Sequence, residues 1–589
     1  MTDKIHNLIS KHALTRTSEI ALLNNFTVVL KKLTLCLLLI SGLFISGCSG
    51  TDNEASKTFD DAKKLYSEGK ELEKTSYRSA LQKYVEASVK LDEITSGYPK
   101  SKIAADIANG TLKLDSMTPA DFSEKFIPVI KYRADAEESP SACALLYISN
   151  FMTPESKIPA TIKTAISYHL NGDDKTAEQL ISQARSMADK QHTEGRFPAY
   201  LTDLKPPKAK VAEALAKTGK LDEAVKAAGK IANPFYKSVV LSGIAVEYSN
   251  IKNNKEAVKI LKEACKTIEF EKDLTYRTFA LLEAARGFIK TGAPKEGFRQ
   301  LKEAEKLNGI QNYVSDRILV LKDIAVIYYK SGKKDEAVKY LEQAGSLLTK
   351  EKDSPWKSFL EYIIAINYAE IGLPDKGTEA ALKMKDETEA NRALMMIESK
   401  LSDDKADQKT KVVKAALDKA NKSANPAIKA FCLANIALTY SKEGAADSAV
   451  ILLEQAEKLN QEAIKREIKD KKEQAKEHDR QIAAEAKISQ AYAAAGKYGR
   501  IEKAVKENSE GKAISEVWFN EDWLTDTALM LADNSDFTGA LKLAEKIKTP
   551  LNTVEVLTAV ALKMAEKKTP VNEEMKKSLH ILAGAMPMN

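Results

Sequence analysis

The sequence predicts an all-α protein, a solenoid of antiparallel helix hairpins, and three observations predict it. The strong helix formers Ala, Lys, Glu and Leu are abundant, while only 25 Gly and 17 Pro occur in 589 residues. Period-two patterns rich in Val, Ile and Thr are hardly found after residue 50. The chain also repeats itself every 40 residues, each copy holding two helix-period segments around a glycine-containing turn.

Residues 1–47 read as a signal peptide. In "KKLTLCLLLISGLFISGCSG", Lys31 to Gly50, the run from Leu33 to Ile45 is thirteen uncharged residues, too short for the ~20 that a spanning helix needs. Two lysines, a compact apolar centre and the small residues Ser46 and Gly47 are the parts of a secretory signal. A buried core helix is the bland alternative. "ISGC", Ile45 to Cys48, resembles the lipobox of bacterial lipoproteins. That resemblance implies a diacylglycerol on the Cys48 thiol, cleavage just before it, and a mature chain tethered to the membrane without spanning it. In enterobacterial lipoproteins an aspartate after the cysteine retains the protein in the inner membrane. Ser49 stands there, which implies the outer membrane, on its periplasmic face in a Gram-negative cell. The segment before Lys31 is longer than a usual leader and points to translation starting near Val28, Val29 or Leu30, leaving His6, His12 and Arg16 outside the functional protein.

Residues 48–58 form the tether, and 59–115 read as N-terminal helical hairpins, built from "AKKLYSEGKEL" and "ALQKYVEASVKLDEITSGYPKSKIAADIA". The "YPKSKIA" within them resembles repeats in lipoproteins of outer-membrane assembly. Residues 116–205 read as an irregular helical region, since 115–160 follow no repeat and suggest a break or joint.

The repeat array spans 206–460. Four segments align without a gap from Leu241, Leu281, Leu321 and Glu361. Ala245, Ala285, Ala325 and Ala365 are then equivalent; so are Tyr248, Phe288, Tyr328 and Tyr368, and Ala257, Gly297, Ala337 and Gly377. Small residues let two helices approach closely and the aromatic fills the space where they diverge. Gly292, Gly332 and Gly372 stand where the first helix ends in a left-handed residue. Each unit is a helical hairpin. The small, aromatic, small pattern resembles the tetratricopeptide repeat, which implies a right-handed superhelix; that family's usual period is 34, so the six extra residues lengthen helices or loops between units. Weaker copies precede and follow, with Gly219 and Ala224, and with Ala437, Tyr440, Gly444 and Ala449, in register.

Residues 461–487, inside "AEKLNQEAIKREIKDKKEQAKEHDRQIAAEAK", carry Glu–Lys pairs at i to i+4 spacing and read as a charged helix prolonged about four turns beyond the array. Residues 488–589 read as C-terminal repeats and a cap, with copies at "AKISQAYAAAGKYGRIEKAV" and "TALMLADNSDFTGALKLAEKI".

The leader carries five cations against Asp3 and Glu19, so of the chain's +7 about +4 remains on the mature part. That excess, interleaved with acids, is no nucleic-acid footprint. Cys143, Cys265 and Cys432 are odd in number and far apart, which argues against a disulfide framework. Catalytic motifs, paired metal-binding histidines and cysteine-pair zinc patterns are absent, and His169, His192, His478 and His580 stand alone. No enzyme, metal or cofactor is therefore expected. Trp356, Trp518 and Trp523 fit helix packing, though "WFNEDW" at 518–523 invites comparison with a sugar-stacking pair.

Function then rests on shape. A solenoid of hairpins offers an extended concave surface for a peptide or protein partner. The tetratricopeptide resemblance implies a groove lined by first helices, which places Asn250, Arg286, Lys290, Lys322, Tyr329, Lys330, Tyr362, Glu370 and Lys442 towards it. That set leans basic and suits acidic proteins or peptides. The dicarboxylate clamp of chaperone-binding members is not matched, because its asparagines are missing. The expectation is a lipid-anchored, non-enzymatic protein-interaction scaffold at the cell envelope, and the alternative is a lipoprotein that captures glycans or peptides.

Overall fold

The structure is a computed structural model that describes residues 52–191, 205–501 and 521–586. The signal segment, Cys48, His192 and Trp518 lie outside the described residues. Every named element is helical, and the chain divides into two compact units: residues 1–187 with 553–589, and residues 188–552.

The first unit begins with the antiparallel pair α1 (Asp52–Leu72) and α2 (Tyr77–Gly97), the latter capped by the Ser76 side chain accepting from Ser79 N–H. Tyr66 of α1 and Tyr84 of α2 close on Phe122 and Phe126, with edge-to-face rings 5.6 Å apart for Tyr66–Phe122 and 5.0 Å for Tyr84–Phe126. Such pairs add to the apolar burial that holds the hairpin. After the short α3 (Lys102–Ala108), a π-helical turn at Phe122–Phe126 runs into α4 (Ile127–Ala136). Then come α5 (Pro140–Phe151), α6 (Pro154–Leu170) and α7 (Asp174–Asp189). Proline opens α5 and α6 at their first turns, where its missing N–H costs no hydrogen bond. Within 116–205 the described residues are mostly helix, with a π-helical turn at Phe122–Phe126 and a proline, Pro159, inside α6.

The C-terminal segment departs from the expected cap. From Thr553 onward it belongs to the first unit. The last helix, α26 (Glu573–Gly584), packs on α4 and α5. Tyr147 donates to the Leu582 carbonyl at 3.0 Å, Arg133 donates to the Met586 carbonyl, and Lys576 pairs with Glu138 at 3.2 Å. His580 stacks on Tyr77 with ring centroids 4.4 Å apart and places Nδ1 3.1 Å from Glu137 Oε2. The same buried Glu137 carboxylate accepts from Tyr77 N–H at 2.8 Å, Arg78 N–H at 2.7 Å and Ser76 Oγ at 3.0 Å. It therefore satisfies orphan donors at the start of α2 and holds the C-terminal helix at once.

The second unit is a succession of antiparallel hairpins. The pairs are α8 (Pro207–Lys217) with α9 (Leu221–Gly229), α10 (Pro234–Asn250) with α11 (Asn254–Ile268), and α12 (Leu274–Lys290) with α13 (Pro294–Gly309). They continue as α14 (Val314–Lys330) with α15 (Lys334–Leu348), α16 (Pro355–Glu370) with α17 (Pro374–Lys383), and α18 (Glu387–Ser399) with α19 (Ala406–Lys422). Beyond them lie α20 (Pro426–Lys442) with α21 (Ala446–Ile464), then α22 (Lys471–Ala494), and α23 (Glu521–Asp533) with α24 (Phe537–Ala544). The remaining helix, α25 (Pro550–Lys567), lies almost wholly in the first unit.

The array follows its sequence pattern. Ala245, Ala285, Ala325 and Ala365 are fully buried, and Gly292, Gly332 and Gly372 hold φ of +80°, +79° and +76° at the hairpin turns. A Cβ at Gly377 would come within 2.6 Å of the Ala365 carbonyl oxygen, so the backbones meet where the small residues stand. Tyr328 lies between Phe298 and Tyr340, with ring centroids 5.6 and 5.3 Å away. First helices such as α12 and α14 have 17 residues and second helices such as α13 and α15 have 16 and 15, so longer helices account for much of the 40-residue period.

The charged stretch 461–487 is not one prolonged helix. Helix α21 stops at Ile464, and Asp470 caps α22 by accepting from Glu473 N–H at 2.8 Å. Local capping by an aspartate outcompetes continuation through the backbone. Helix α22 then folds back: Gln481 donates to the Ala463 carbonyl at 2.9 Å, and the buried Glu477 accepts from Asn425 at 2.6 Å. It is the lengthened first helix of the next unit.

Candidate interaction surface

The first helices of successive hairpins present a row of side chains linked from one helix to the next by ion pairs. Arg286 of α12 pairs with Glu283 on its own helix and with Asp323 of α14 at 2.5 Å, while Lys322 shares Asp323 at 3.1 Å. Lys330 of α14 reaches Glu370 of α16 at 3.4 Å, and Glu370 also meets Lys400, just after α18, at 2.6 Å. The Lys400 ammonium holds the Glu370 carboxyl below the usual carboxylate range. Arg286, Lys322 and Lys330 are therefore compensated by carboxylates of the array itself.

The other expected groove residues are placed as follows. Asn250 is exposed and donates to Glu247 at 2.8 Å, and Lys290 is exposed in the last turn of α12. Tyr329 is half-buried, its hydroxyl lying where a Cβ on Gly372 would fall. Only glycine serves there, by its positive φ and by this close approach. Tyr362 is half-buried and ends a ladder on α16: Trp356 stacks on Phe359 at 5.1 Å, and Phe359 on Tyr362 at 6.4 Å. The Arg392 guanidinium of α18 lies 5.9 Å over the Tyr362 ring. Lys442 is exposed at the end of α20.

Sequence reading missed Arg392 and Lys487. Lys487 of α22 donates to Gln490 Oε1 at 2.9 Å and lies 5.8 Å over the Phe431 ring of α20. Burial, reinforced by Arg392 and Lys442 and opposed by Asp526, pushes its ammonium down to about 8. Its position inside a stretch read as a solvated helix hid it. The spacing of Trp356, Phe359 and Tyr362 at i, i+3 and i+6, by contrast, is a helical signal present in the sequence.

Other candidates are structural. Trp523 is buried, donating to the Ala486 carbonyl at 3.2 Å. Cys143, Cys265 and Cys432 are free, and burial pushes the Cys265 and Cys432 thiols up to about 11 and 12. A shallow cleft of about 880 Å³ beside α11 is lined by Lys255, Lys259, Lys262 and Lys266, which are solvated along one helix. Among the described residues no group of three or more His, Cys, Asp or Glu is placed to hold a metal ion. None of the described helices is long and apolar enough to cross a membrane.

Comparison with known proteins gives one family match, to the tetratricopeptide repeat, over residues 323–347. These residues run from the middle of α14 through the Gly332 turn and almost to the end of α15. No curated protein matches the chain. Among solved structures, Ton1535 from Thermococcus onnurineus NA1 is 15% identical, covering 60% of this chain and 98% of its own, with a TM-score of 0.26. The apo form of RapI is 12% identical over 62% of this chain and 99% of its own, with a TM-score of 0.24. The human IFIT1 dimer with PPP-AAAA is 15% identical over 69% of this chain and 94% of its own, with a TM-score of 0.21.

Proposed function

We propose that this chain is a lipid-anchored, non-enzymatic scaffold that holds other proteins at the bacterial cell envelope. The observation that carries the interaction reading is the continuous first-helix row of an array whose α14–α15 hairpin matches the tetratricopeptide repeat. Stacked hairpins create extended surfaces suited to protein segments, with no need for a catalytic constellation. The envelope reading draws its support from "ISGC" at Ile45–Cys48 and the apolar run before it, with Ser49 favouring the outer membrane. More than one acyl chain at Cys48 would give stable anchoring, each buried methylene contributing about 0.8 kcal/mol.

A glycan-binding lipoprotein is the second reading, and the Trp356–Phe359–Tyr362 ladder is the observation that favours it. Trp356 and Phe359 are 40% and 37% exposed. Their rings, however, are stacked on one another along a single helix, whereas a sugar site is a concave pocket in which a few polar side chains converge to orient the ligand. Protein segments remain the better fit.

The test is a pair of strains carrying wild-type and Cys48→Ser chains. The proposal expects the wild-type chain to fractionate with envelope membranes, its mature amino terminus at an acylated Cys48, and to co-purify after detergent extraction with a reproducible protein partner. It expects Cys48→Ser to remain an unprocessed precursor. Identical processing and fractionation of the two would sink the anchor, and extraction of the wild type without a protein partner would sink the scaffold.

A further inference from the structure

Charge compensation is uneven along the array. Arg286, Lys322 and Lys330 each have a carboxylate of the array within ion-pair distance. At the α18–α22 end two unpaired cations come together with a third. Among the described residues Lys442 and Lys487 have no carboxylate within 4 Å, and beside them Arg392 pairs with Glu389 of its own helix at 2.8 Å. Arg392, Lys442 and Lys487 stand on α18, α20 and α22, three consecutive first helices, near enough for Arg392 and Lys442 both to disfavour the charged form of Lys487.

Such a cluster costs free energy through mutual repulsion. Long side chains at a surface relieve repulsion by turning apart, yet Lys487 is held inward by Gln490 and by the Phe431 ring, and Arg392 by the Tyr362 ring. The counter-charges facing the cluster are Asp526 towards Lys487, and Asp533 and Glu398 towards Lys442. They act at longer range than an ion pair. A ligand that brings negative charge between the cations would supply what Asp323 and Glu370 supply to Arg286, Lys322 and Lys330.

We propose that Arg392, Lys442 and Lys487 form a recognition patch for an acidic segment of a protein partner, its carboxylates set among the three cations and its apolar side chains against the half-buried Tyr362 ring. This deepens the scaffold reading, on which it rests, by naming the partner's chemistry and by moving recognition to the α18–α22 end of the row. The half-buried Tyr362 ring beneath Arg392 favours an amphipathic peptide over a bare inorganic anion, since it leaves apolar surface beside the charge. A ligand carboxylate among these cations would also restore the charged form of Lys487, so Lys487 reports occupancy.

The test uses the detergent-purified mature chain, with fluorescein-labelled peptides of repeating Glu-Glu-Phe and repeating Lys-Lys-Phe and with oligothymidylate as probes in fluorescence anisotropy. The acidic peptide should bind with marked salt dependence, and the basic peptide should not bind. Lys487→Glu and Lys442→Glu should each weaken it by about tenfold or more. Lys487→Met, which keeps the packed stem, should weaken it less, and Lys262→Glu, on the second helix α11, should leave it unchanged. With ¹³C-methylated lysines, Lys487 should titrate near pH 8 in the free chain and higher with the acidic peptide bound. Equal affinity for the two peptides, tighter binding of oligothymidylate than of the acidic peptide, or an unaltered affinity in Lys487→Glu would each overturn the patch. None of these outcomes touches the scaffold reading, which is scored separately by native partner capture.

Discussion

Glu398 of α18 should make the array less stable as pH rises from about 4.5 to about 7, and Glu398→Gln should remove that dependence. The residue is 2% exposed, its Oε1 has no hydrogen-bond partner, and Lys409 Nζ stands 3.6 Å away while also serving Asp403 and Glu443. Burial first, then the shared hydrogen bond and negative charge of Glu443, push the Glu398 carboxyl up from 4.5 to about 7 against the pull of Lys409. The folded state therefore binds this proton more tightly than the unfolded chain. Between pH ~4.5 and ~7 the folded protein carries the extra proton, so stability falls as pH rises across that window. The full effect is about 3 kcal/mol at ~1.4 kcal/mol per pKa unit. Glutamine has the shape of the protonated acid and can donate to Glu443, so Glu398→Gln should keep at pH 8 the stability that wild type shows at pH 5. Amide hydrogen exchange in α18 and α20, corrected for intrinsic rates, reads the local opening free energy at both pH values. A variant destabilised more at pH 8 than at pH 5 would refute the reasoning, because it would show a charged Glu398 stabilised by Lys409 and not a shared proton.

Tyr328→Ala, which empties the space between Phe298 and Tyr340, should cost about 3–5 kcal/mol, whereas Tyr329→Ala should cost under about 1 kcal/mol; equal losses in thermal unfolding would put the hairpin register in error. Ala325→Leu, in a fully buried small position, should destabilise by about 1–3 kcal/mol in the same measurement. At Glu137, burial pushes the carboxyl up, but hydrogen bonds from His580, the Arg78 and Tyr77 amides and Ser76 outweigh it and hold the group below its ordinary value. Its contribution is thus present above pH ~4.5 and lost as pH falls through the folded value. Glu137→Ala should cost the first unit about 3 kcal/mol near neutrality, and progressively less in acid, by urea unfolding followed in that unit.

What was legible in the sequence was whatever is local and periodic. The alanines at 245, 285, 325 and 365 and the glycines at 292, 332 and 372 each declare a close approach or a left-handed turn within one hairpin, and the structure places them so. The docking of α26 on α4 and α5 was not legible, because Glu137 and His580 are 443 residues apart and neither belongs to a pattern. The break between α21 and α22 was hidden by Glu–Lys spacing that suits a helix equally well on either side of Asp470. The candidate surface divides in the same way. Helical spacing put Lys322 and Lys330 on the first helices, but their neutralisation by Asp323 and Glu370 depends on the tertiary placement of those acids. Lys487 became notable only once Arg392 and Lys442 arrived beside it from other helices.

The most direct test of the interaction claim is site-specific photocrosslinking in the native cell, with the crosslinking residue placed at Tyr362 or Lys442 on the first-helix row or at Lys262 on the second helix α11. A discrete crosslinked protein is expected from Tyr362 and Lys442 and none from Lys262. Crosslinks from Lys262 alone, or from neither face, would contradict it.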